Sequence, residues 1–293
     1  MKEGITLSED VRSKYGAVDG SKLNGAPPIL PFSISVEGQE GTGKSQFGLL
    51  TCPTPIVHIN FGDRDATAFL YDMSEDRRSK TTLYSFAPSG PDGWTRAEAK
   101  QSLLGLSDIA KSELADNKLA GGTFILDSGS SWWDSVQEVY VAPLEEERDA
   151  EGKKRSGGLI YGKGNLVVSG VVSWIKNQGC FFVLTHQKSQ SWDSQGPIPG
   201  QYKARINSKV PYLVEIRLDL RLECVSCAVK SPIVGEQDCR KQGHIGRNHV
   251  ARIIKFGRST ALIGVEFSNS DISFSNIYSL YARGDFPGQE RLV

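Results

Sequence analysis

Hydrophobic and polar residues alternate with two different periods along this chain, and the switches between them outline its architecture. Phe32-Ser-Ile-Ser-Val36 alternates apolar and polar positions, the period of a strand, and Ser45-Gln-Phe-Gly-Leu-Leu50 behind it can start a helix. Pro55-Ile-Val-His-Ile-Asn-Phe61 reads as a second strand and Thr82-Leu-Tyr-Ser-Phe86 as a short third. From Arg96 to Leu119 the residues Leu103, Leu104, Leu106, Ile109, Ala110 and Leu114 recur at helical spacing. The buried strand Gly122-Thr-Phe-Ile-Leu-Asp127 follows, then helices from Trp132 to Leu144 and from Leu166 to Asn177, then the strand Cys180-Phe-Phe-Val-Leu-Thr185. Strands alternating with helices predict an α/β fold, a mainly parallel sheet flanked by helices. After Pro211 the pattern becomes strand-rich: Tyr212 to Glu223 alternates, and Val250 to Phe256 and Ala261 to Phe267 read as returning, antiparallel strands.

Three stretches stand apart from this pattern. Residues 1–31 are polar and end in Gly25-Ala-Pro-Pro-Ile-Leu-Pro31, an arm or linker ahead of a core spanning 32–223 and 250–293. Leu144 to Gly164 passes from the charged run Glu145-Glu-Glu-Arg-Asp149 through Lys153-Lys-Arg155 into a glycine-rich segment. Ser189 to Ser208 carries Trp192, Gly196-Pro-Ile-Pro-Gly200, Tyr202, Lys203 and Arg205. Both read as long loops, which inside a domain are more often functional than decorative.

Composition narrows the class without choosing a partner. Hydrophobic residues make up 39% of the 293, enough for a substantial core, and the formal net charge is zero, so any anion-binding surface is local. No apolar run reaches membrane-span length and Met1-Lys-Glu-Gly-Ile-Thr has no signal-peptide core, so a cytoplasmic protein is expected. In that compartment clustered cysteines point to metal before disulfide.

The most specific chemistry lies between the first strand and the first helix. Gly38-Gln-Glu-Gly-Thr-Gly-Lys44-Ser45 spells G-x-x-x-x-G-K-[ST], the phosphate-binding P-loop, in its strand–loop–helix context. The backbone of Gly38, Glu40, Gly41, Thr42, Gly43, Lys44, Ser45 and Gln46 is expected to cradle a nucleoside triphosphate. Lys44 reaches the β- and γ-phosphates and Ser45 ligates Mg²⁺. Thr123-Phe-Ile-Leu-Asp127 fits the Walker B element, delivering Asp127 to the same sheet edge as a second Mg²⁺ partner. Asn60-Phe-Gly-Asp63-Arg-Asp65 offers a carboxylate to orient the attacking water, or is a capped, solvated turn; Glu40 is a weaker alternative. In Leu184-Thr-His-Gln-Lys188, polar groups reach that edge to sense the γ-phosphate, although His186 can equally cap the strand or bind a backbone carbonyl.

In order, these elements resemble the RecA-type ATPase core rather than the adenylate-kinase or GTPase branches. Asp127-Ser128 ends the Walker B strand, Thr185-His-Gln187 is similar to the Thr-Asn-Gln of recombinases, and Val214-Glu-Ile-Arg-Leu-Asp-Leu-Arg221 looks like a strand of RecA itself. Asp127-Ser-Gly-Ser-Ser-Trp-Trp133 and Tyr161-Gly-Lys-Gly-Asn165 resemble the minimal phage-encoded RecA-like family associated with single-strand annealing. The resemblance implies ATP, Mg²⁺ and catalytic roles for Lys44, Asp63, Asp127 and Gln187. Asp63 matches a glutamate in the family and is one methylene shorter. Gln187 couples the nucleotide to the second of two DNA-binding loops, which correspond to 145–164 and 189–208. It further implies a homo-oligomer, ring or filament, in which a neighbour's Lys203, Arg205, Lys209 or Arg258 completes the site.

The loops carry their own argument for single-stranded DNA. Lys153, Lys154, Arg155, Lys163, Lys188, Lys203 and Arg205 supply phosphate contacts, while Trp192 and Tyr202 supply flat faces for unstacked bases. The bland alternative is an ordinary pair of solvated loops, and the acidic residues of 145–151 count against a purely basic patch. Cys224-Val-Ser-Cys227, Cys239 and His244 give C-x₂-C-x₁₁-C-x₄-H, with His249 an alternative fourth ligand. That spacing suits a structural Zn²⁺ site in residues 224–249, a stretch with few apolar residues, or else a hairpin tip with reduced thiols. The expectation is an ATPase acting on single-stranded DNA in recombination or annealing. The alternatives are a DNA-translocating motor and a nucleotide-gated assembly protein that never touches DNA.

Overall fold

The computed structural model describes residues 31–62, 67–90, 93–150, 152, 160–193, 196–226 and 246–283, with Trp192, Asp193, Pro199 and Gly200 as backbone only. The described strands form one sheet. β1 (Ser33–Gly38), β2 (Ile56–Phe61), β3 (Thr81–Phe86), β4 (Thr123–Asp127) and β5 (Phe181–Asp193) are joined by β7 (Ile216–Cys224), β8 (Arg247–Phe256) and β9 (Glu266–Ser268) in the order β3-β2-β4-β5-β1-β7-β8-β9. β6 (Gly196–Ala204) pairs with β5 alone. The pairings from β3 to β7 are parallel and those of β7–β8 and β8–β9 antiparallel, as the sequence pattern predicts.

Buried strands need cover on both faces, and two apolar layers provide it. On one face Ile34, Val36, Val183, Ile216 and Leu218 pack with Phe47 and Leu49 of the P-loop helix and with Phe274, Ile277 and Leu280 of the last helix, α9 (Phe274–Arg283). That P-loop helix is α1 (Lys44–Gln46), continued by a π-helical turn over Phe47–Thr51. Further along come the short helices α2 (Ala68–Tyr71) and α3 (Glu75–Ser79). On the opposite face Ile59, Phe124, Leu126, Phe182 and Leu184 meet α4 (Arg96–Glu113), α5 (Gly129–Tyr140) and α7 (Gly162–Lys176) through Leu106, Trp132, Val136, Val168 and Val172. Each such fully buried aliphatic side chain contributes roughly 1.5–3 kcal/mol.

Both expected loops hold regular structure where described. The charged run 145–149 lies in a helix, α6 (Ala142–Ala150), following directly on α5. Ser189 to Ser208 is mostly a hairpin: β5 continues past the sheet edge and pairs antiparallel with β6 from Lys188↔Ala204 to Asp193↔Gly196. Polar residues on both faces of Lys188-Ser-Gln-Ser191 hide the strand period, and β6, an edge strand, tolerates Pro197 and Pro199. The strand read from Tyr212 begins only at Ile216. Ahead of it Val210–Leu213 forms a single helical turn, α8, with Pro211 in its first turn. Likewise, 261–267 resolves into a 3₁₀ turn at Thr260–Leu262 and the three-residue β9.

Among the described residues no helix is long and apolar enough to cross a membrane. Residues 1–30, Lys153–Arg155 and the central part of the cysteine-bearing segment, 227–245, lie outside the described residues. That segment's two stems are clamped together, with Cys224 paired to Arg247 across β7–β8 and Val225 N–H donating to the Gly246 carbonyl (3.2 Å).

Candidate functional site

The parallel strands end at one edge of the sheet, and β1, β4 and β5 bring the sequence-predicted groups together there. Gly38 closes β1 under severe crowding: a Cβ at this position would lie 2.4 Å from Thr42 Oγ1 and 2.6 Å from the Leu220 carbonyl oxygen. Only glycine lets the loop leave the strand this tightly. Gly41 (φ 77°) and Gly43 (φ 90°) both take the left-handed conformation, which turns the backbone into a concave loop. Thr42 Oγ1 donates to the Gln39 carbonyl (2.9 Å), and Phe47 N–H donates to Gly43 O (2.9 Å), so loop and helix form one continuous unit. Lys44 is buried and reaches across the loop, donating from Nζ to the Gln39 carbonyl (2.6 Å). Burial lowers its pKa, and the Asp127 carboxylate pulls the other way, which puts the ammonium and the carboxylate in one field. Glu40 and Gln46 are exposed on either side of the loop.

Asp127 ends β4, with β5 lying between it and the P-loop strand. It is 7% exposed and accepts hydrogen bonds from the Ser45 hydroxyl and from Thr185 Oγ1, while His58 Nε2 lies 3.4 Å from Oδ2. Burial alone would raise its pKa. The close approach of His58 and the hydrogen bonds from Ser45 and Thr185 outweigh that and hold it at about 2. Asp127 is therefore a carboxylate at any working pH. The pairing of Ser45 with Asp127 gives a hydroxyl and a carboxylate at one point beside the P-loop, the hard oxygen donors that suit Mg²⁺.

Gln187 sits on the same edge, in register with Gly38, and is exposed. Its backbone is held at both ends: its N–H donates to Ser130 Oγ (2.9 Å) and its carbonyl accepts from Arg205 N–H (2.7 Å). Ser130 Oγ in turn donates to the Arg205 carbonyl (2.5 Å). The start of the β5–β6 hairpin is thus tied to the N-terminus of α5, one residue beyond Ser128, whose hydroxyl accepts from Ser131 N–H (3.1 Å). His186 differs from its neighbours. It is fully buried, a Cβ on Gly129 would come within 2.6 Å of its Cε1, and among the described residues its ring nitrogens have no well-formed hydrogen bond, the Arg205 backbone supplying a weak one. Burial, with the positive charge of Arg217, lowers its pKa to about 3 against the pull of Asp127. A neutral, enclosed imidazole is no cation for a phosphate, and of the readings of His186 a contact with a backbone group, here that of Arg205, is the one it fits.

Several other expectations meet the structure differently. Asp63 lies outside the described residues, as do Cys227, Cys239 and His244. Among the described residues no group of three or more His, Cys, Asp or Glu is arranged to hold a metal, and Cys52 and Cys180 are buried thiols pushed up to about 12 and about 11 by burial. Of the basic residues on the hairpin, Lys188 pairs with Asp219 (2.5 Å) and Arg205 with Asp134 (2.6 Å). Lys203 and Lys209 are exposed and make no ion pair with a described residue, and Arg258 lies on the Tyr281 ring, 4.2 Å from its centroid.

Two groups in this site carry no motif. His58 is an ionisable residue in the middle of an otherwise apolar strand, a signal legible in Ile56-Val-His-Ile-Asn-Phe61. Glu37, the last residue before the P-loop, is 2% exposed and held by Arg217, with Nε and Nη2 each 2.6 Å from Oε1. Burial raises the Glu37 pKa more than Arg217 lowers it.

No protein-family model matches this chain, and no curated protein matches it by sequence. Among solved structures, a KaiC-like protein from the hyperthermophilic archaeon Pyrococcus horikoshii is similar to it. The two are 14% identical over 82% of this chain and 85% of that chain, with a TM-score of 0.44.

Proposed function

We propose that this chain is a Mg²⁺-dependent, RecA-like ATPase that binds single-stranded DNA and acts in phage-type recombination or strand annealing. The observation that carries the nucleotide chemistry is the convergence of the P-loop, Lys44, Ser45 and Asp127 at one sheet edge. In this reading the loop's N–H groups and Lys44 hold the triphosphate, and Ser45 and Asp127 hold Mg²⁺. The ion supplies neutralisation of charge on the phosphate oxygens. Thr185 and His58 fix the orientation of the Asp127 carboxylate, and Asp63 is assigned the attacking water.

The DNA half of the proposal rests on continuity. β5 starts in the sheet, passes the P-loop at Gln187 and runs on as one arm of the hairpin that bears Tyr202 and Lys203. A shift at Gln187 is therefore carried by an unbroken strand into that hairpin, and self-assembly would offer Lys203 or Lys209 to a neighbour's nucleotide. One observation favours a second reading, a nucleotide-gated assembly protein: Lys188 and Arg205 spend their charge on Asp219 and Asp134 rather than on a ligand. Fluorescence anisotropy with labelled oligo-dT, across a salt series, separates the two. DNA binding through the hairpin predicts an affinity that falls with salt, by a log–log slope of about 0.7 per phosphate contacted, and that drops several-fold in Tyr202→Ala/Lys203→Glu. No measurable binding at low salt would leave the assembly reading.

A further inference from the structure

A pocket of about 320 Å³ opens on the side of the P-loop away from Asp127's strand, between the P-loop helix and the last strands. Gln46, Phe47 and Leu50 line it from the helix, and His249, Asn269 and Ile272 from β8 and the chain after β9. Among the described residues no Lys, Arg, Asp or Glu lines it, so it suits an uncharged group, and its volume falls in the range of small-molecule sites. Thr42 and Gly43 of the P-loop form its rim, so whatever fills it is continuous with a ligand held by the loop.

His249 is held in one orientation at this rim. Its backbone N–H donates to Asn269 Oδ1 (3.0 Å), and Asn269 Nδ2 donates to Asn248 Oδ1 (3.2 Å). Asn269 sits in the left-handed region (φ 49°), one of the few residue types that adopts it readily. The ring Nδ1 lies 3.2 Å from the Thr42 carbonyl oxygen. A carbonyl only accepts, so the proton of the neutral imidazole is on Nδ1, and Nε2 carries a lone pair. The pocket therefore combines the apolar Phe47, Leu50 and Ile272 with the polar Gln46, Thr51 and Asn269, and His249 adds an acceptor from a residue outside every motif of the P-loop.

We propose that this pocket takes the nucleobase of the nucleotide whose phosphates the P-loop holds, and that His249 selects adenine by accepting a hydrogen bond from its exocyclic amine. A base with a carbonyl at that position would set an acceptor against an acceptor. The inference rests on the P-loop reading above and adds the discriminating residue to it.

Isothermal titration of the full chain with Mg²⁺ and three ligands tests it: ATP, inosine triphosphate (a carbonyl in place of the amine) and inorganic tripolyphosphate. The wild-type chain is expected to bind ATP at least tenfold more tightly than tripolyphosphate and about tenfold more tightly than inosine triphosphate, the loss typical of one unpaired hydrogen-bonding group. In His249→Phe the ratio of ATP to inosine triphosphate affinity falls to about one. A ratio taken within one variant is insensitive to a general loosening of the loop. Equal wild-type affinity for ATP and inosine triphosphate overturns the inference, and so does a ratio unchanged in His249→Phe. If tripolyphosphate and ATP both fail to bind, or bind as well to Lys44→Ala, the P-loop reading itself fails.

Discussion

His186→Asn removes the most strongly perturbed histidine among the described residues, and the consequence for stability can be worked through. The imidazole is enclosed, 1% exposed, without a well-formed hydrogen bond among the described residues, and its pKa is lowered from 6.5 to about 3. The unfolded chain therefore binds a proton here between those values while the folded chain does not. Stability then rises with pH across the window and is lost as pH falls below 6.5. The slope is about 1.4 kcal/mol per pH unit, so the drop from pH 6.5 to pH 5 is about 2 kcal/mol, and any folded value below about 4 gives nearly the same figure. That is a sizeable part of the roughly 5–15 kcal/mol of a typical domain. Asp127 shifts in the same sense, but its window lies below about pH 4, so it does not contribute at pH 5. Urea unfolding followed by tryptophan fluorescence at pH 7.5, 6.5, 5.5 and 5.0, without Mg²⁺, measures the effect. The variant loses about 1–2 kcal/mol at every pH from poorer packing, and should lose about 2 kcal/mol less than wild type between pH 6.5 and 5. Parallel curves for the two proteins would mean that the proton is taken up elsewhere and that His186 is not held neutral.

Three further predictions address the site. Gly38→Ala forces a methyl group against the Leu220 carbonyl, which unlike the Thr42 hydroxyl cannot rotate away; a stability loss of roughly 1–3 kcal/mol and a fall in ATP affinity of at least tenfold are expected, and wild-type binding by titration would refute the crowding argument. Arg217→Met strands the buried Glu37 carboxylate and should cost about 3–5 kcal/mol in urea unfolding, whereas Glu37→Met/Arg217→Met should recover most of it; equal losses in the two would show that the pair is not coupled. His58→Phe removes a partner of Asp127 from behind the proposed Mg²⁺ site, so the Mg²⁺ concentration for half-maximal ATP binding should rise roughly tenfold or more, with little change at saturating Mg²⁺; an unaltered Mg²⁺ requirement would count against a positioning role.

The parallel core was legible because its strands are buried on both faces and written in β-branched and aromatic residues. Ile56–Phe61, Thr123–Asp127 and the first half of Phe181–Asp193 lie within a residue or two of where their patterns put them. The P-loop was legible for a different reason: its glycines answer to backbone geometry that other residues cannot adopt. Where packing does not dictate the pattern, the reading failed. Lys188–Asp193 and Gly196–Ala204 pair with each other beyond the main sheet, so neither carries a clear apolar alternation. Ala142–Ala150 has no buried residue and looks in sequence like a charged loop. Phe274–Arg283 is amphipathic and packs its aromatic face on Phe32 and Phe181, a tertiary pairing that no local spacing announces. At the site, Lys44, Ser45 and Asp127 followed from motifs. Thr185 was marked only as part of a Thr-His-Gln run, and the places of His58, Glu37 and His249 at the site did not follow, because each owes its position to a neighbouring strand rather than to its own surroundings in sequence.

The central claim is that nucleotide chemistry at Lys44 and Asp127 is coupled to single-stranded DNA through Gln187 and the hairpin beyond it. Steady-state ATP hydrolysis by the purified chain, with and without single-stranded DNA, tests this most directly, with Lys44→Ala as control. The account predicts turnover that rises with DNA, fades as salt is added and is absent from Lys44→Ala. Turnover by the wild-type chain that is indifferent to DNA at every salt concentration would contradict it.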